Sequence, residues 1–193
     1  MVTLVVGARR SGKSAFAERL AACIAAEAYL SVVYVATARA DHAEMRERIR
    51  QHRARRPAAW ETLEPDAWRP EALPRAVEAL PRERVVLLDE ASLWVATCVE
   101  AWRDRDARAA AAAFERAAGR LVAALAGRSA PAVVVSGEAG AGIVPPDPEA
   151  RRFVDWLGRL NQALAAEAGN VLWMVAGLPV AVKGELAECA RGR

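Results

Sequence analysis

The sequence predicts an α/β protein, a mostly parallel sheet with helices on both faces, formed as a single domain over residues 1–193. Three observations carry this. Short, β-branched apolar runs recur at Val2–Val6, Ser31–Ala36, Val85–Asp89, Ala132–Ser136 and Val171–Ala176. Longer stretches of helix formers separate them, as expected for strands buried on both faces beneath crossover helices. The first run also passes through a glycine-rich turn directly into a helical segment.

That turn reads Gly7-Ala8-Arg9-Arg10-Ser11-Gly12-Lys13-Ser14, a complete G-x-x-x-x-G-K-[ST] phosphate loop. Strand, glycine loop and the helical Ala15–Ala22 point free backbone N–H groups and the positive end of a helix at phosphate. Lys13 is placed to reach the β- and γ-phosphates, and the Ser14 hydroxyl to ligate Mg²⁺. A chance turn would not explain why every motif position and both flanks are filled. The expectation is a protein that binds a nucleoside triphosphate.

After the second strand, Asp41–Arg56 reads as a helix with Met45, Ile49 and His52 on one stripe. Arg46, Arg48, Arg50, Arg53, Arg55 and Arg56 crowd its other faces. Periodicity leaves three readings open: a solvated charged helix with an edge-of-core histidine, a basic nucleic-acid patch, or a surface that handles triphosphate. In the third, neighbouring guanidinium groups would favour a neutral His52, which has a lone pair for attack. No nucleic-acid motif or aromatic interleaving supports the second.

The third strand ends Val85-Val86-Leu87-Leu88-Asp89-Glu90, which puts Asp89 where a carboxylate is needed to hold Mg²⁺ or nucleotide. Glu90 could contribute. The alternative is a helix N-cap acid, because Ser92 begins a helical run. Asp104–Ala126 is an alanine-rich helix, and Glu149–Ala168 is another, with Gly169-Asn170 expected to stop it. Between them Gly137–Pro148 is loop-like and follows a strand end, making it either a substrate lid or a plain connector.

A hydrophobic fraction of 54%, a charged fraction of 26% and a net charge of +3 describe a soluble protein and do not argue for nucleic acid. Cys23, Cys98 and Cys189 lack metal-ligand spacing and read as buried or incidental thiols. No signal peptide or membrane span is visible, so the expected location is cytoplasmic.

The string Ala36-Thr37-Ala38, Glu44-Met45, Arg48-Ile49, His52, Arg56-Pro57, Trp60, Thr62 and Glu64 resembles the bifunctional adenosylcobinamide kinase/adenosylcobinamide-phosphate guanylyltransferase family of cobalamin biosynthesis. The likeness continues through Leu87-Leu88-Asp89, Gly140-x-Gly142-Ile143-Val144-Pro145, Ala150-Arg151-x-Phe153-x-Asp155, Gly158-Arg159-x-Asn161-Gln162 and Gly177. It implies a P-loop NTPase-like, RecA-like fold and two reactions. The first phosphorylates adenosylcobinamide. The second transfers GMP from GTP to adenosylcobinamide phosphate, through a guanylyl-histidine that corresponds to His52. It also implies nucleotide contacts from Gly7–Ser14, Ala36-Thr37-Ala38, Arg53-Ala54-Arg55-Arg56, Glu64 and Asp89, with ATP and GTP as substrates and a homo-oligomer, in relatives a trimer. The chain departs from the family pattern at Gln51, a position where the pattern admits a second histidine. Further departures are Glu90-Ala91-Ser92 for Cys-Leu-Thr, Thr97 for asparagine, and Ser136-Gly137-Glu138 for Thr-Asn-Glu.

Overall fold

The computed structural model describes residues 1–187. In chain order the elements are β1 (Val2–Gly7), α1 (Lys13–Ala28), β2 (Val32–Ala36), α2 (Ala43–Arg55), β3 (Glu61–Leu63), α3 (Ala72–Ala79) and β4 (Val85–Asp89). They continue with α4 (Ala91–Ala101), α5 (Ala107–Ala126), β5 (Ala132–Gly137), α6 (Pro148–Glu167), β6 (Ala168–Val175) and β7 (Leu178–Lys183). One seven-stranded sheet runs in the order β3-β2-β4-β5-β1-β6-β7. Every neighbouring pair is parallel except β6–β7, which is antiparallel.

The continuous apolar strands alternate between two cores, as a period of two residues requires. Val33, Val35, Val86, Leu88 and Val134 face the core built with α3, α4, α5 and α6. Val32, Tyr34, Val85, Leu87, Val133 and Val135 face the core built with α1. On the first side Phe114 is fully buried and stacks on Trp156, with ring centroids 4.5 Å apart. Trp94 and Trp102 flank the pair. The five expected strands and the helices on both faces are all present.

Several expectations are corrected. Gly169-Asn170 does not stop α6, because Ala168 already takes an extended conformation and pairs with Val2. Both residues therefore lie inside β6. The helix expected from Asp104 begins at Ala107, where the Asp106 carboxylate caps it by accepting from the N–H groups of Arg108 and Ala109. β3 has only three residues, and β7 follows a tight turn after β6, so neither shows as a separate apolar run. Cys98 is a buried free thiol. Cys23, however, is disulfide-bonded, against the expectation of an incidental thiol. Cys189 lies outside the described residues. Among those residues no helix is long and apolar enough to cross a membrane.

Because β1, β2, β4 and β5 are parallel, Gly7, Ala36, Asp89 and Gly137 end on one edge of the sheet. That edge is where open α/β sheets bind ligands. α2 sits beside it, and none of its described side chains is buried. Ion pairs from Arg9 to Glu44 and from Arg55 to Glu18 tie it to the body.

Candidate active site

The phosphate loop is closed by sterics that only glycine satisfies. A Cβ on Gly7 would lie 2.6 Å from Ser11 Oγ and 3.0 Å from both the Cβ and the carbonyl oxygen of Met174. Gly12 has φ of 89° and stands at the N-cap of α1, with no side chain capping the first turn. That leaves helix N–H groups for an anion. From behind, the backbone N–H of Gly177 in the β6–β7 turn donates to Ser11 O at 3.1 Å.

Lys13, the first residue of α1, is buried with Nζ 3.4 Å from Glu90 Oε2. Ser14 Oγ donates to Asp89 Oδ1 at 3.0 Å, and the buried Tyr34 hydroxyl donates to Asp89 Oδ2. Asp89 therefore faces the phosphate loop, and the N-cap position of α4 belongs to Glu90 instead. Burial alone would push the Asp89 carboxyl up. Contact with the His52 imidazole, together with the Tyr34 and Ser14 hydrogen bonds, holds it below its ordinary value. Tyr34 is pushed well above the ordinary phenol range, first by burial and then by the charge of Asp89, so it remains a donor.

The stripe read from the sequence faces this centre. α2 begins after His42, whose Nδ1 accepts from the Met45 N–H and caps the helix. Met45, Ile49 and His52 all line a cavity of about 670 Å³, together with Tyr34, Ala36, Ala38, Arg53, Arg56, Glu64, Trp68, Asp89 and Glu90. A second cavity of about 420 Å³ is lined by Arg9–Ala15, Glu44, Glu47, Gln51, His52 and Arg55. His52 lies on the wall of both. Its side chain is 16% exposed, with Nδ1 3.5 Å from Asp89 Oδ2 and 3.7 Å from Glu18 Oε1. His52 thus lies on the cavity walls and is in neither apolar core.

Arg56 lies over the Tyr34 ring, 3.2 Å from its centroid, and its Nε and one Nη are buried without a hydrogen-bond acceptor. Such donors on a cavity wall suit an incoming anion. Arg53 pairs with Glu64. Thr37 is braced differently: its hydroxyl donates to Glu90 O at 2.6 Å and accepts from Glu90 N at 2.8 Å. Gly7, Ala8, Thr37 and Ala54 are not among the residues lining these two cavities. Nor do residues of the Gly137–Pro148 loop line them, and Ile143 in that loop is 98% exposed.

The sequence reading missed Glu18 and Tyr34. Glu18 follows Ser14 by four residues, so one helical turn brings both to the same face of α1. Tyr34 was absorbed into an apolar strand, although a buried phenol needs a partner for its hydroxyl. The oxygen donors of Ser14 and Asp89 suit a hard divalent cation such as Mg²⁺. Glu18, His52 and Asp89 also offer one nitrogen and two carboxylate oxygens within 4.8 Å of one another.

Comparison with known proteins matches residues 3–182 to the family described as cobinamide kinase / cobinamide phosphate guanyltransferase. The chain is 40% identical over 189 residues to the bifunctional adenosylcobalamin biosynthesis protein CobP of Pseudomonas aeruginosa, covering 96% of this chain and 99% of that protein. It is 35% identical over 193 residues to the corresponding CobU protein of Escherichia coli K12, and 36% identical to that of Salmonella typhimurium. Each of these two alignments covers 95% of this chain and 100% of the relative. The chain belongs to the cobinamide kinase / cobinamide phosphate guanyltransferase family.

Proposed function

We propose that the protein phosphorylates the hydroxyl of adenosylcobinamide and then transfers GMP from GTP to the resulting phosphate, with His52 as the covalent carrier. The observation that carries this reading is the position of one imidazole between the phosphate-loop cavity and the larger one. With Nδ1 turned towards Asp89 and Glu18, Nε2 is the nitrogen available for attack. It forms a bond to the α-phosphorus while the bond to the bridging oxygen breaks and pyrophosphate leaves. The phosphate of the second substrate then attacks the same phosphorus, breaks the N–P bond and frees the imidazole.

Lys13, Arg55 and Arg56 are suited to stabilise charge on the phosphate oxygens and the leaving pyrophosphate. Mg²⁺ held by Ser14 and Asp89 would neutralise phosphate charge. ATP and GTP are the proposed triphosphates, with Ala36, Ala38, Arg53 and Glu64 on the cavity wall as further contacts. The use of nucleoside triphosphates supports a cytoplasmic location. A homo-oligomer is consistent with the apolar Leu178, Val180 and Val182 exposed on the edge strand β7.

The test is incubation with α-labelled GTP and Mg²⁺. The expected result is an acid-labile, base-stable label on the chain, absent from His52→Asn, whose kinase activity persists. GTP binding without labelling of the unaltered protein would rule out the covalent route. Full labelling of His52→Asn would move the nucleophile elsewhere.

A further inference from the structure

We infer that Glu18 is a positioning residue for guanylyl transfer: it sets His52 against the phosphate loop and faces its Nδ1 while Nε2 attacks. This rests on the guanylyl-transfer half of the reading above. Glu18 lies in α1, the helix that begins with Lys13 and Ser14. It follows Ser14 by four residues, so both side chains share one face of that helix. Its Oε1 lies 3.7 Å from His52 Nδ1 and 3.4 Å from Arg55 Nη2. Those two partners stand about one turn apart on α2, so one carboxylate fixes both the height and the rotation of that helix.

The contact matters because no described side chain of α2 is buried. The Arg9–Glu44 pair near its start is exposed, and exposed pairs hold little. Glu18, by contrast, has a side chain only 12% exposed, facing an imidazole that is itself largely enclosed. Asp89 also faces Nδ1, at 3.5 Å, but its two oxygens accept from Ser14 and Tyr34 as well. Asp89 stands at the end of β4, whereas Glu18 belongs to the helix whose first turn meets the phosphates. The nucleophile is thereby referenced to the element that grips its target.

In the step itself, the Nε2 lone pair forms the bond to the α-phosphorus. The bridging oxygen keeps the electrons of the bond that breaks and leaves in pyrophosphate. Nδ1 retains its proton, so the ring carries positive charge until the acceptor phosphate breaks the N–P bond. A carboxylate facing Nδ1 orients the ring and lowers the cost of that charge. No such charge builds on His52 during phosphoryl transfer, so the two activities separate the role.

The experiment uses the full chain with α-labelled GTP, beside γ-label transfer to adenosylcobinamide. Glu18→Gln keeps the length of the side chain and removes its charge. At saturating GTP its rate of His52 labelling is expected to fall about 10- to 100-fold, with KM for GTP little changed. Transfer of the γ-label should change by less than about threefold. Glu18→Asp, which keeps the charge, should recover part of the lost rate. The chain has two histidines, so nitrogen NMR of the labelled rings reads each one. His42, whose Nδ1 accepts from the Met45 N–H, supplies the Nε2–H reference, and His52 is expected in the Nδ1–H form.

Labelling by Glu18→Gln within about threefold of the unaltered protein would overturn the inference alone. So would equal losses in both activities, which would mean that Glu18 only supports α1, or an Nε2–H form of His52. Absence of any label on the unaltered protein would remove the covalent reading and this inference together.

Discussion

Replacing Tyr34 by Phe removes one hydroxyl from beneath the site and leaves the ring. The ring stays buried in the α1 core, and Arg56 keeps an aromatic face to stack on. What is lost is the donor to Asp89 Oδ2, a hydrogen bond to a buried ionised group. Such bonds contribute about 1.5–3 kcal/mol. A loss near ~2 kcal/mol lowers Tm by about 4–8 °C in a chain of this size.

The pH dependence follows from the same bond. Asp89 is held below its ordinary value when folded, so its stabilisation is complete above about pH 4, the unfolded value, and fades as pH falls through the folded value. Tyr34→Phe removes one of the hydrogen bonds that hold the folded value down and so moves it upward. Urea unfolding should therefore show the full deficit at pH 7. In acid, where Asp89 is protonated, the deficit should shrink towards the ~1 kcal/mol of a neutral hydrogen bond. A midpoint unchanged at pH 7, or an undiminished deficit in acid, would refute this account of Asp89.

Two further changes probe the loop and the core. Gly7→Ala forces a methyl to 2.6 Å from Ser11 Oγ and 3.0 Å from Met174, so it should cost about 1–3 kcal/mol and weaken nucleotide binding. Denaturant titration and calorimetric binding of GTP measure both effects, and a variant that matches the parent in each would contradict the packing described. Phe114→Ala empties the space between Trp94 and Trp156 and should lower stability by about 3–5 kcal/mol. Chemical unfolding followed by tryptophan fluorescence reads it, and a cost under about 1 kcal/mol would mean that the aromatic cluster repacks.

The site is legible in the sequence where chemistry and chain order coincide. Gly7–Ser14 and Asp89 could be read because a strand end, a glycine turn and a carboxylate have local signatures. The Met45–Ile49–His52 stripe was also visible, but its destination was not, because periodicity gives a face and not the partner of that face. Glu18 and Tyr34 escaped because each acts through a neighbour distant in the chain. β3 and β7 escaped for a different reason. Edge strands are paired on one side only and need no continuous apolar run.

The hydrogen bond from Gly177 to Ser11 shows that the phosphate-loop octapeptide is not self-sufficient. It rests on a hairpin formed near the opposite end of the chain. A fragment truncated before β6 would retain every letter of the motif yet lose the backstop behind it. Grafting the octapeptide into another scaffold would transfer the spelling without the support that gives it shape.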